Sequence, residues 1–158
     1  MKILLLNILT LVFAVNIQPS CLIKGKGFKG YVFNKEHFVL MTIDDQSKRY
    51  TPNKQDVFLV EGLIKDRLKS MNVSLENQGG ECPVIHKNLK KYVRQYVGFV
   101  TKDGERVIWI NFIWKPSMHD EERLSKDIVA PLDGCSHYWN IKVNLDKEEV
   151  FEPVVHFK

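Results

Sequence analysis

A chain of 158 residues with 23 Lys+Arg against 19 Asp+Glu carries a net charge of +4, and 44% of it is hydrophobic. Those values suit a single domain with a core of its own. The positive balance is too mild to indicate a nucleic-acid binder, and no stretch resembles a nucleic-acid-binding motif.

Taken in chain order, Met1-Lys2 gives a short positive start. "ILLLNILTLVFAVNI" follows, apolar except for Asn7, Thr10 and Asn16, and stops at Gln18-Pro19. This is the order and length of a signal peptide over residues 1–20. A membrane-spanning helix needs about 20 predominantly apolar residues, and a buried core helix fits Lys2 and the Pro-Ser-Cys ending less well. Cleavage is expected at Cys21 or a few residues ahead of it. "QPSC" resembles a bacterial lipoprotein box: Ser20 suits it, whereas Gln18 stands where an aliphatic residue is usual. A lipidated Cys21 would tether the protein through acyl chains, and plain secretion would leave Cys21 near a free N-terminus. Either way the expected location is the bacterial periplasm or cell envelope.

The cysteine count sharpens this expectation. Cys21, Cys82 and Cys135 are the three cysteines, and an exported chain meets an oxidising compartment where thiols pair. With Cys21 as the lipid anchor, Cys82 and Cys135 remain as a disulfide.

Residues 21–30, rich in Gly and Lys, are expected as a flexible tether ahead of a single domain over 31–158. Lys2 is the only charge in the first 20 residues, so the chain beyond them is +3 (+4 less one). Lys24, Lys26 and Lys29 form one basic cluster, which could sit near anionic head groups. "KNLKKYVR" (87–94) forms a second. A solvated surface is the simpler reading of both.

"YVFNKEHFVLMTI" (31–43) has the aromatic and β-branched content of strands. The next element is a helix, with Thr51 as its N-cap and Pro52 as its first residue. Val57, Val60, Leu63 or Ile64, Leu68 and Met71 make one apolar stripe along it. Gly62, costing about 1 kcal/mol in a helix interior, suggests close packing. Residues 72–83 are a loop. Asp103-Gly104 is expected as a two-residue hairpin turn, which pairs Lys102 with Glu105, Phe99 with Ile108 and Gly98 with Trp109. Val97, Phe99, Ile108, Ile110 and Phe112 then form the core face. From Cys135 to Leu145 the apolar residues alternate strictly, as in a half-buried strand. Ser136 points away from Cys135 and His137, which disfavours a local Ser–His pair. Residues 150–157 return as an edge strand, because Pro153 cannot donate to a ladder. The expected fold is α+β, one helix packed on a four- to five-stranded antiparallel sheet, cystatin-like or nuclear-transport-factor-like in outline.

"RYTP", "NLKKYVRQYVGFV", "GERVIWIN" and "VAPLDGCSHYWNIKVNLD" resemble a family of small uncharacterised exported bacterial proteins. Its members carry an R-Q-Y-x-G strand, an I-x-I-N strand and a D-G-G-x-x-Y-F-x-V-x-x-D hairpin. The resemblance spans roughly residues 48–152. The chain departs from it at Cys135, at "NFIW" (111–114), where related sequences often have cysteines, and in lacking the usual Asn-Gly ending. The family implies a fold and an exported location, and no activity.

Two constellations are candidates for function. Cys82, His86, Cys135 and His137 supply two sulfurs and two imidazoles, a conceivable zinc set or cysteine-nucleophile site. An oxidised, buried pair is the competing reading. His37, His119 and His156 stand alone and read as surface or packing residues. The second constellation is the outer sheet face: Arg94, Tyr96, Trp109, Tyr138, Asn140 and Lys142, whose aromatics would bury large area on a partner. Residues 115–130 or the N-terminal strand could instead cover it. The resulting expectation is a non-enzymatic binding domain for an unknown protein or envelope ligand. It needs no cofactor or nucleic acid and meets membrane only through a lipid anchor. The alternative is a metal-binding or cysteine-dependent enzyme built on the Cys82 cluster.

Overall fold

The computed structural model of the chain describes residues 19–39, 48–115 and 121–157. The expected leader up to residue 18, residues 40–43 of the first expected strand and His119 lie outside the described residues.

The supposed tether is a β-hairpin. β1 (Ser20–Gly25) turns into β2 (Phe28–Phe33), with Cys21 opposite Val32 and Gly25 opposite Phe28. Ile23 and Phe28 pack against the main core, while Leu22 stays exposed. The high Gly and Lys content hid the hairpin. Two residues of β3 (Arg49–Tyr50) precede α1 (Lys54–Met71).

The helix begins later than Pro52 suggested. Asn53 is the N-cap: its side chain accepts from the Asp56 amide, and the Asp56 carboxylate accepts from the Asn53 amide. This reciprocal capping box satisfies two orphan donors. Val57, Val60, Ile64 and Leu68 form the buried stripe, with Leu63 and Met71 partly buried beside it. A short α2 (Ile85–Asn88) and one 3₁₀ turn lead into β4 (Tyr92–Val100).

β4 and β5 (Arg106–Trp114) form the expected hairpin in a different register. The loop is three residues long. The Thr101 amide donates to the Glu105 carbonyl, Gly104 donates back to the Thr101 carbonyl, and Gly104 takes a φ of 82°. A type I turn followed by a left-handed glycine gives this loop. Gly98 therefore pairs with Ile108, Val97 with Trp109 and Tyr96 with Ile110. A one-residue slip moves every side chain of a strand to the other face. A Cβ at Gly98 would meet the Tyr50 carbonyl oxygen at 2.7 Å, so the glycine admits β3.

α3 (Glu121–Lys126) precedes a 3₁₀ turn at Cys135–His137, which replaces the first three residues of the expected strand. β6 (Tyr138–Asn144) keeps the predicted alternation, with Trp139, Ile141 and Val143 buried. β7 (Glu149–Val150) and β8 (Val154–Val155) both pair with β6 and flank Pro153, so the proline sits where the edge strand breaks.

The fold class is α+β. The sheet is larger than expected and mixed, and it is not specifically cystatin-like: among the described residues eight strands run β1-β2-β4-β5-β6-β7, with β3 on β4 and β8 on β6, and β2 lies parallel to β4. α1 covers one face over Tyr92, Tyr96, Ile108, Phe112, Trp139 and Val143. Among the described residues no helix is long and apolar enough to cross a membrane.

Cys82 and Cys135 form the disulfide, with Cα atoms 6.1 Å apart and 53 positions apart in sequence. It ties the 72–88 loop to the start of β6, where the Ser136 hydroxyl donates to Pro83 O and Tyr92 donates to Ser136 O. Cross-linking a loop of that size stabilises by about 4 kcal/mol in the chain-entropy model. Cys82→Ala together with Cys135→Ala is expected to lower the unfolding free energy by about 3–4 kcal/mol in urea melts. Peptide mapping without reductant should recover the two cysteines linked.

Candidate functional site

The six residues expected on one outer face do not share it. Arg94 and Tyr96 point to the helix side because of the register slip, and both are buried. Trp109, Tyr138, Asn140 and Lys142 stay on the opposite side. There the Trp109 indole donates to Asn140 Oδ1 at 3.0 Å and only 5% of the residue is exposed.

That face is a second core. Tyr31, Phe33, Val93, Val97, Trp109 and Ile113 pack with Leu124 of α3, and Ile128, Val129 and Tyr138 close over them. A cross-strand pair, Gln95 and Asn111, fastens the cover. Gln95 donates to the carbonyls of Leu124 and Asp127, and Asn111 donates to the Val129 carbonyl. These buried amides would be unsatisfied without the 121–129 segment, so the segment belongs there. Trp109→Ala is expected to cost about 3–5 kcal/mol in urea melts, as for a large buried aromatic. A loss below about 1 kcal/mol would contradict the covered face.

The Cys82, His86, Cys135 and His137 set is not assembled as a metal or nucleophile site, because its two sulfurs are bonded to each other. His137 Nδ1 lies 3.5 Å from Cys135 Sγ, and His86 Nδ1 is 3.0 Å from Asn72 Nδ2. Among the described residues no group of His, Cys, Asp or Glu has a metal-binding arrangement. His37 lies against Phe33, and His156 contacts the Pro131 carbonyl, so both are packing residues. Cys21 is a free, exposed thiol on β1.

The feature that sequence inspection missed lies on the helix side. A cleft of about 660 Å³ opens between α1, the β1–β2 turn and the α2 region. This falls within the roughly 300–1,000 Å³ range of small-molecule sites. Its α1 wall is a stripe beside the core stripe, Phe58, Glu61, Gly62, Lys65 and Lys69, with the buried Leu68 at its inner edge. The opposite wall carries Lys26, Gly27 and Phe28 and then His86 to Lys91. Gly62 does not serve close packing; a Cβ there would meet nothing within 4 Å, so the glycine keeps the wall recessed.

Its floor is an ion network between helix and sheet. Arg94, 1% exposed, donates from Nε to Glu61 Oε1 at 3.1 Å and from Nη2 to Glu61 Oε2 at 3.3 Å. Tyr96 donates its hydroxyl to Glu61 Oε1 at 2.8 Å. Arg94 Nη1 donates to the Tyr92 carbonyl, and the guanidinium lies over the Phe112 ring at 5.2 Å. Burial, then the neighbouring Glu61 charge, pushes the Tyr96 hydroxyl well above the usual tyrosine range. The tyrosine stays a neutral donor.

The rim is basic. Lys26, Lys65, Lys69, Lys87, Lys90 and Lys91 line the cleft, and among the described residues Glu61 is the one carboxylate in its lining, already held by Arg94 and Tyr96. Among the described residues none of these six lysines has a carboxylate within ion-pair distance. Lys91 instead lies over the Trp114 ring. Desolvation, then Lys87 and Lys69, holds the His86 imidazole below its ordinary range, as expected in a positive field.

Lys26 of the first basic cluster thus shares a surface with Lys87, Lys90 and Lys91 of the second, whereas Lys29 pairs with Glu121. Gly30 pairs with Arg94 in the parallel β2–β4 ladder, which sets the turn at Lys26 beside Lys90. The signal that could have exposed the third contributor was the i, i+4, i+7, i+11 run Phe58, Gly62, Lys65 and Lys69. Compared with protein-family models, with curated proteins and with solved structures, the chain matches none.

Proposed function

We propose that this protein is an exported bacterial envelope protein that acts by binding, and that its site is the lysine-rimmed cleft. The observation that carries the reading is six lysines around a hollow, none of them with a carboxylate partner among the described residues, while Glu61, the one carboxylate that those residues place in the lining, is already neutralised. Uncompensated like charges around a concave surface raise the local concentration of a counter-charged ligand. The ligand is therefore an anion. Export is supported by the leader pattern, by the resemblance to exported bacterial proteins and by the Cys82–Cys135 disulfide, a bond typical of oxidising compartments. Cys21, exposed on the outermost strand, is the residue that would carry a lipid anchor.

The test uses His86 as a reporter inside the cleft. Pyrophosphate titrated into the protein at low ionic strength, followed by imidazole NMR signals, is expected to saturate and to raise the His86 pKa. The response should weaken as salt is added. Gly62→Leu fills the cleft from a position with open space and replaces a poor helix former, so stability should rise by about 0.5–1 kcal/mol while the response disappears. An unchanged His86, or the same response in Gly62→Leu, would contradict the site.

A further inference from the structure

Lysines alone suit any anion, but the cleft wall is not what a small inorganic ion needs. Phe58 projects from α1 with 43% of its surface exposed, and Phe28 meets it edge to face with ring centroids 5.3 Å apart. The partly buried Leu89 continues the apolar wall, and Gly62 opposes no atom. Exposed apolar surface of this kind inside a concavity marks a ligand surface. The rings stand at 74° to each other, so they make a ridge and not the parallel faces between which a planar base would stack. The polar groups lie at the rim and the floor, and the apolar wall runs between them.

We infer that the ligand is a single-chain anionic amphiphile: a phosphate or carboxylate head held by the rim lysines, with an unbranched apolar chain laid along Phe28, Phe58 and Leu89. This rests on the cleft being the binding site. Each lysine offers three donors to the head group on a flexible stem, and the stems of Lys65 and Lys69 extend the apolar wall. The floor adds no free charge, because Arg94 and Glu61 neutralise each other, but it is rigid. Arg94 spends its hydrogen bonds on Glu61 and Tyr92, which locks the guanidinium in place under the cleft. The ligand is taken up as a monomer, because the site is a recess of limited volume and not a flat basic face.

The test compares ethyl, octyl and dodecyl phosphate, each below its micelle-forming concentration, by calorimetry and by the His86 signal. Burying methylenes strengthens binding by roughly threefold to fourfold each when burial is complete. Dodecyl phosphate is therefore expected to bind at least about tenfold more tightly than octyl phosphate, and ethyl phosphate most weakly. Phe58→Ser, at a half-exposed position, should flatten this chain-length dependence. Lys65→Glu with Lys69→Glu should abolish the binding of the alkyl phosphates and of pyrophosphate. If dodecyl phosphate binds no better than ethyl phosphate while His86 still answers to anions, the cleft remains the site and the amphiphile is overturned. Adenosine monophosphate matching dodecyl phosphate would overturn it in favour of a nucleotide. Binding to phosphatidylglycerol vesicles without uptake of the monomer would overturn it in favour of a membrane contact. Silence of His86 to every anion would remove the cleft reading as well.

Discussion

The contact between Glu61 on α1 and Arg94 on β4 governs the rest of the molecule. Both side chains are nearly inaccessible, and Tyr96 supplies a second hydrogen bond to the same carboxylate. Taking two ions out of water costs several kcal/mol each, and mutual attraction offsets this only when the remaining hydrogen-bonding capacity is also filled. Here the carboxylate receives three donors and the guanidinium finds a carbonyl and an aromatic face. An apolar stripe allows a helix to slide or rotate on a sheet. A buried ion pair permits one position, since any shift strands a charge.

That fixed position has consequences on both sides of the pair. Towards the core it seats Val57, Val60, Ile64 and Leu68 on Ile108, Ile110 and Phe112. Towards solvent it leaves Phe58, Gly62, Lys65 and Lys69 facing the β1–β2 turn across an open gap. The disulfide fixes the remaining wall, because the segment carrying His86 and Lys87 follows Cys82 directly. The cleft is therefore bounded by one ion pair, one parallel strand pairing and one covalent bond. Its positive field follows from the same economy of carboxylates: Glu61 serves the fold and leaves the lysines uncompensated.

Much of the local structure was legible in the sequence. The α1 stripe, the β4–β5 hairpin, the alternation of β6 and the Cys82–Cys135 bond follow from periodicity and cysteine arithmetic. What was not legible depended on a single hydrogen-bonded loop or on long-range pairing. Asp103-Gly104 has the composition of a two-residue turn, and only the Thr101–Glu105 closure shifts the register and sends Tyr96 inward. Residues 20–33 are too rich in Gly and Lys to announce a hairpin, which gains its stability from the sheet it joins. The expected outer face was argued from aromatics that are in fact core, because nothing local reveals that Gln95 and Asn111 hold down a segment some thirty positions away in the case of Gln95. The site itself joins Lys26, Lys65 and Lys90, which no window of sequence contains together.

The most direct measurement of this account is a double-mutant cycle on the ion pair, with Glu61→Leu, Arg94→Met and the double variant compared by urea unfolding. Removing one partner leaves a buried charge, so each single change is predicted to cost about 3–5 kcal/mol. The double variant is predicted to cost no more than either single, since neither charge is then stranded. Losses that simply add would mean that the two side chains stabilise the protein independently, and that the placement of α1, and with it the cleft, rests on something other than this contact.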